Sequence, residues 1–219
     1  MSDRRQYRKG EARREEILTA ALEVVNRVGY SGTTVRELAD AVGLSRSGLL
    51  HHFGTKDDLF VEILRRSDAF DVDHFAGERG VAAQRTADLE AAFLRVVRHH
   101  GDVPGLIALY IRNAALASER NHPDHEFHRS RARYAHRITS DAFANLQRRG
   151  AVSADVAPEV LATLVLALQD GLRMRWLFDA EVDMPEAVSG LFRMIELASR
   201  RQTRLLAGTV RPGSGHRSR

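Results

Sequence analysis

Apolar residues recur along this 219-residue chain at spacings of three and four, interrupted by glycine and proline, and that rhythm predicts helices almost from end to end. A first amphipathic helix is expected from about Glu11 to Val28, with Ile17, Ala21, Val24 and Val28 on one stripe and Gly29 as its stop. Thr34 and Glu37 have capping-box spacing and open a short second helix, striped by Leu38, Ala39 and Val42. Gly43 follows where a left-handed residue must end that helix, and Leu44 can pack into the corner. Ser45 caps a third helix whose apolar face is Leu49 and Phe53, four residues apart. Thr55 and Asp58 form another cap-like pair, opening a fourth helix to about Phe75 with Leu59, Ile63 and Leu64 apolar; Gly77 and Gly80 break it. A fifth helix is expected from Thr86 to His100, using Leu89, Phe93 and Val96 and ending at Gly101. A sixth runs from Pro104 to Glu119, a seventh from Pro123 to Arg149, an eighth from Pro158, and a ninth from about Pro185 to Arg204. The fold class is therefore all-α, about nine helices in total.

The second and third helices, joined at a steep angle by a glycine turn, fit the helix-turn-helix description. Steps of 100° place Ser47, Leu50 and His51 opposite Leu49 and Phe53, with Arg46 and His52 on the flanks. A major groove could meet this face. Arginine pairs with guanine O6 and N7, serine bonds to bases or phosphate, and leucine touches a thymine methyl. Gly48 allows backbone to come close. Lys56, in the first turn of the fourth helix, opposes the helix dipole unless an anion such as a DNA phosphate lies nearby. Taken alone, so short a stretch also fits a plain helical hairpin with a solvated polar face.

The net charge of +4 hides an uneven distribution. Residues 1 to 14 carry +4 and residues 200 to 219 carry +6, so the body between them is acidic, at −6. A basic arm ahead of a helix-turn-helix can reach phosphates or a minor groove. The expected organisation is a flexible basic arm over 1–10, a helix-turn-helix domain over 11–56, a helical effector-binding and dimerisation domain over 57–204, and a basic, disordered tail over 205–219. With no cysteine, disulfides and thiolate metal sites are excluded. Neither an eighteen-residue apolar run nor a secretory signal is evident, so a cytoplasmic location is expected.

The eighth helix is apolar almost all round from Val160 to Leu168, which predicts burial against its own domain and a second subunit. Gly171 in that helix costs about 1 kcal/mol relative to alanine, more easily explained if another backbone packs there. Val188, Leu191, Phe192 and Ile195 stripe the ninth helix, so a homodimeric four-helix interface is expected from Leu161, Leu164, Leu168, Gly171, Leu172, Leu191, Phe192 and Ile195. An effector pocket is expected among the fourth to eighth helices, with Phe93, Tyr110, Asn113, Tyr134, Gln169 and Trp176 mixing apolar wall and polar anchors. His122, His125 and His128 raise a second possibility, a metal-responsive regulator or metal-dependent enzyme. Their i, i+3, i+6 spacing lets at most two share an ion on a regular helix. No catalytic elbow, phosphate loop or zincin signature is present, so neither an enzyme nor a cofactor is expected and no catalytic or metal residue is assigned.

The run Thr34-x-x-x-Leu38-Ala39-x-x-x-Gly43-Leu44-Ser45, followed by Leu49-x-His51-His52-Phe53-x-x-Lys56-x-x-Leu59, closely resembles the TetR (tetracycline-repressor-like) family of transcriptional regulators over about residues 12 to 64. The resemblance implies that Thr34, Arg36, Ser45, Arg46, Ser47, Gly48, His52 and Lys56 face DNA. Leu50 departs from the pattern, standing where the family usually has a tyrosine that reaches a phosphate. The resemblance also implies dimerisation through the last two long helices and a repressor of a palindromic, double-stranded operator, released by a small molecule.

Overall fold

Nine helices make up the described residues, 2–76, 83–102 and 104–209, of the computed structural model, and those residues contain no strand. They are α1 (Ser2–Gly32), α2 (Val35–Ala41), α3 (Arg46–Phe53), α4 (Lys56–Ala76), α5 (Thr86–Asp102), α6 (Pro104–Leu116), α7 (His125–Arg148), α8 (Pro158–Phe178) and α9 (Met184–Thr209).

Several boundaries differ from the sequence expectation. The basic stretch over 1–10 expected to be a flexible arm is helical from Ser2, because it is rich in helix-forming Arg, Lys and Gln and lacks proline. The buried stripe of α1 ends at Val25, and Val28 stands exposed beside Gly29, whose φ of 73° and ψ of 167° kink the helix. Gly101 does not stop α5, which runs on to Asp102. In contrast, α6 stops at Leu116 and α7 starts only at His125, with turns over 117–124 between them. Helix α9 extends through Thr209, so the expected tail is helical at its start; residues 210–219, like Gly77 and Gly80, lie outside the described residues.

Two apolar clusters organise the molecule. The head cluster joins Ile17, Leu18, Ala21, Val24 and Val25 of α1 to Leu38 and Ala39 of α2, Leu49 and Phe53 of α3, and Leu59, Phe60, Ile63 and Leu64 of α4. The body cluster is built from α5, α7, α8 and α9, with Phe93, Phe143 and Phe192 at its centre. Helix α6 belongs to both: Leu106 and Leu109 are in the head cluster, while Ile107 is in the body cluster. The connection between head and body is therefore a packed helix, with α1 running against it.

Candidate nucleic-acid interface and ligand cavity

Local capping chemistry fixes the head. Thr34 accepts a hydrogen bond from the Glu37 amide at 3.2 Å, and the Glu37 carboxylate accepts from the Thr34 amide at 2.8 Å. These bonds to Thr34 hold the Glu37 carboxyl below its usual range. Helix α2 closes at Gly43, whose φ of 65° needs a residue without Cβ strain. Ser45 then caps α3 by accepting from the Gly48 amide at 3.0 Å. A Cβ on Gly48 would stand 3.2 Å from that serine hydroxyl, so glycine here lets the cap form tightly. Gly54, at φ 77°, ends α3, and a reciprocal Thr55–Asp58 cap starts α4.

With Leu49 and Phe53 buried in the head cluster, α3 presents Arg46, Ser47 and His51 to solvent; Leu50 and His52 are half-buried at the edges. From behind, Arg14 donates to the His52 carbonyl at 2.7 Å and stacks its guanidinium 4.5 Å from the Phe53 ring centroid. Arg13 donates to the Val42 carbonyl at 2.6 Å, tying α1 to the end of α2. Thr34 and Arg36 are exposed on α2. The Thr34 hydroxyl is engaged in its cap, and the half-buried Lys56 donates to the Thr33 carbonyl, so these two groups meet at the start of α2 rather than on the outer row of α3. Burial pulls the Lys56 ammonium below the ordinary lysine range.

A cavity of about 160 Å³ lies in the body between α5, α6, α7 and α8. Of the six residues expected there, Phe93, Tyr110, Tyr134 and Gln169 line it. Asn113 does not, because its amide is spent on α7, accepting from His128 at 2.5 Å and donating to Asp124 at 3.4 Å. Nor does Trp176, which packs against the body cluster. Arg131 and Arg173, absent from the sequence expectation, do line the cavity. Arg131 donates to the Tyr110 hydroxyl at 2.9 Å, and the guanidinium of the buried Arg173 lies 5.2 Å from the Tyr110 ring centroid. Arginine on a helix reads in sequence as a solvated face, which hid both.

The expected dimer row needs correction. Leu161, Leu172 and Phe192 are buried in the protomer's own body cluster, because α8 and α9 turn these residues toward α5 and α7. Leu168, Leu191 and Ile195 pack half-buried at its margin. Leu164 and Gly171 are exposed, and nothing lies within 4 Å of where a Gly171 Cβ would be. They share the outer side of α8 with Val160, Met174 and Phe178, the last 85% exposed, and α9 adds Met194 and Leu197. The row 160, 164, 171, 174 and 178 keeps helical spacing and was readable; which of two apolar rows faced inward was not.

The histidine region resolves into separate duties. His122 Nδ1 accepts from the Asp124 amide at 3.2 Å, His125 donates to the Ala117 carbonyl at 2.9 Å, and His128 bonds Asn113. No group of three potential metal ligands occurs among the described residues. No helix among them is long and apolar enough to cross a membrane.

A helix-turn-helix pair, α2 and α3, held in a small helical head on a larger helical body has the architecture of helix-turn-helix regulators. The family model of bacterial regulatory proteins of the tetR family matches residues 17–63. The transcriptional repressor Rv1474c of Mycobacterium tuberculosis is 28% identical over 87% of this chain and 94% of its own length. The transcriptional repressor AcnR of Corynebacterium glutamicum is 40% identical over 35% of this chain, and the match spans only 40% of AcnR. Among solved structures, AibR in complex with isovaleryl coenzyme A and operator DNA superposes with a TM-score of 0.65 at 19% identity, covering 84% of this chain and 98% of AibR. Over residues 17–63 the chain is thus similar to the tetR family of bacterial regulatory proteins, and its overall fold is similar to that of solved TetR regulators.

Proposed function

We propose that this protein is a sequence-specific transcriptional repressor, without enzymatic activity and acting in the cytoplasm, that binds a palindromic operator as a homodimer and leaves it when a small molecule occupies the body cavity. The observation that carries this reading is the outer row of α3: Arg46, Ser47 and His51 are free to solvent on a helix whose opposite side is locked into the head core. In a major groove, Arg46 would read a base edge while Ser47 and His51 contact base or phosphate. Leu50 would replace a phosphate contact with an apolar touch on a thymine methyl. Thr34, Arg36 and Lys56, with the backbone at Ser45 and Gly48 and the flank at His52, would hold the sugar-phosphate chain on either side.

The unpartnered apolar side of α8 and α9 supports dimerisation, with Leu164, Gly171, Met174, Phe178, Met194 and Leu197 meeting their two-fold copies. Two α3 helices would then read half-sites about one DNA turn apart. Release follows from α6. Tyr110 lines the cavity and also packs against the head cluster, one residue from Leu109 within it. A ligand that shifts α6 moves the head with it, provided that it binds the shifted state more tightly than the DNA-competent one. The names of the matched repressors and the operator-bound AibR support this reading.

Selection of bound sequences from random DNA, using the full chain, tests it. A two-fold symmetric consensus is the expected result. Equal recovery of all sequences would leave only nonspecific binding and would overturn the proposal.

A further inference from the structure

The body cavity contains a polar group that the protein leaves unanswered. Gln169 is 6% exposed and lines the cavity, yet its amide nitrogen Nε2 is closed off from solvent without a hydrogen-bond partner. Buried amides are nearly always satisfied, because desolvation without a partner is destabilising. A leucine of similar size would avoid that cost in the same helix.

Arg173 and Tyr110 bring further donors to the wall, beside the Thr139 hydroxyl and an Asp170 carboxylate that is already paired with Arg173. The Arg173 guanidinium gives Nε and Nη2 to His100 Nδ1 at 3.3 and 3.1 Å, and Nη1 to Asp170 at 2.9 Å. Those bonds leave further N–H groups of its five-donor fork for another acceptor. The Tyr110 hydroxyl accepts from Arg131, so its own hydrogen remains to be donated. Phe93, Val96, Ile138 and Leu166 supply the apolar remainder of the wall. At about 160 Å³ the space matches one six-membered ring, since a cavity of about 150 Å³ holds benzene.

We infer that the cavity binds a small carboxylate with a ring-sized apolar body, the Gln169 amide turning so that Nε2 donates to one carboxylate oxygen while the other is reached by Arg173 or Tyr110. An amine of the same shape would face the guanidinium groups of Arg131 and Arg173, find the Asp170 carboxylate already paired with Arg173, and offer nothing to the glutamine donor. A neutral hydrocarbon would leave that donor buried and unpaired. The link from occupation of this site to release of DNA rests on the repressor reading above; the ligand class does not.

Benzoate, benzamide and benzylamine are the probes, titrated calorimetrically into the full chain. Benzoate is expected to bind once per protomer, benzamide more weakly, and benzylamine not at all. Gln169→Leu should weaken benzoate at least about tenfold and, by removing the unsatisfied amide, raise the melting temperature of the ligand-free protein by about 2–4 °C. Gln169→Glu should abolish benzoate binding by charge repulsion. The assignment fails if benzylamine binds as well as benzoate, if benzoate does not bind, or if Gln169→Leu melts lower than wild type while keeping its benzoate affinity. DNA affinity measured with and without benzoate separates the two readings. Benzoate that binds without changing DNA affinity upholds the site and removes its role as effector; DNA binding without benzoate binding upholds the regulator and removes the carboxylate site.

Discussion

Arg36 and Arg46 carry the same charge but meet different surroundings. Arg36 is exposed on α2 beside Asp40, at 3.8 Å, whereas Arg46 opens the outer row of α3. Arg46→Ala is therefore expected to relax preference at one base pair by about 1–3 kcal/mol, while Arg36→Ala weakens all sequences alike and lowers the salt slope by about 1. Binding titrations at several salt concentrations, on matched and mutated operators, separate these outcomes. Gly43 illustrates a backbone requirement instead: no neighbour obstructs a Cβ there, but φ is 65°, so Gly43→Ala should cost about 1–2 kcal/mol in chemical denaturation. His128 is a titration case. Burial, then the Arg131 charge, lowers its pKa from the ordinary 6.5. A depressed histidine pKa means that the unfolded chain binds more protons, so its contribution to stability is complete above 6.5 and is lost as pH falls below it. Melting curves of wild type and His128→Gln should diverge above that pH and converge as the pH drops. Caps, the Gly43 turn and the buried pair Leu49 and Phe53 were legible because each depends on neighbours within four residues. Lys56 was not, since its bond to the Thr33 carbonyl spans two helices.

At the scale of the element, α8 is the informative helix. Its composition required burial on more than one side, and the structure divides that requirement between Leu161, Ala162, Val165 and Leu172 inside and Val160, Leu164, Met174 and Phe178 outside. The two rows predict opposite mutational outcomes. Leu161→Ala should destabilise the fold by about 2–5 kcal/mol, as for other core leucines. Leu164→Ala should leave protomer folding within about 0.5 kcal/mol, as for surface sites. Phe178→Glu should shift the protein to monomers in sedimentation velocity and abolish cooperative binding to a full operator. A dimeric Phe178→Glu protein would remove this face from the interface.

At the scale of the whole molecule, α6 connects the body cavity to the helix-turn-helix head through residues that belong to both clusters. If the functional unit is a dimer, its melting temperature should rise with protein concentration, and that dependence should vanish in Phe178→Glu. The dimer should also bind a paired half-site far more tightly than a single one. In the proposed dimer, a ligand in the cavity would need only to shift α6 relative to α1, against which it packs, to spoil the spacing between the two α3 helices.

Sequence alone determined the helical class, the capped head, the exposed row on α3 and the general position of a cavity between body helices. These depend on local propensity, capping and periodicity, which act over a few residues. Tertiary structure decided which apolar row of α8 faces inward, removed Asn113 and Trp176 from the cavity, and brought Arg131 and Arg173 into it. It also left Gln169 without a partner. The physical reason is common to all four: which side of a helix is buried, and what a polar group meets there, is set by the packing of helices distant in sequence, and periodicity specifies a stripe without specifying its neighbour.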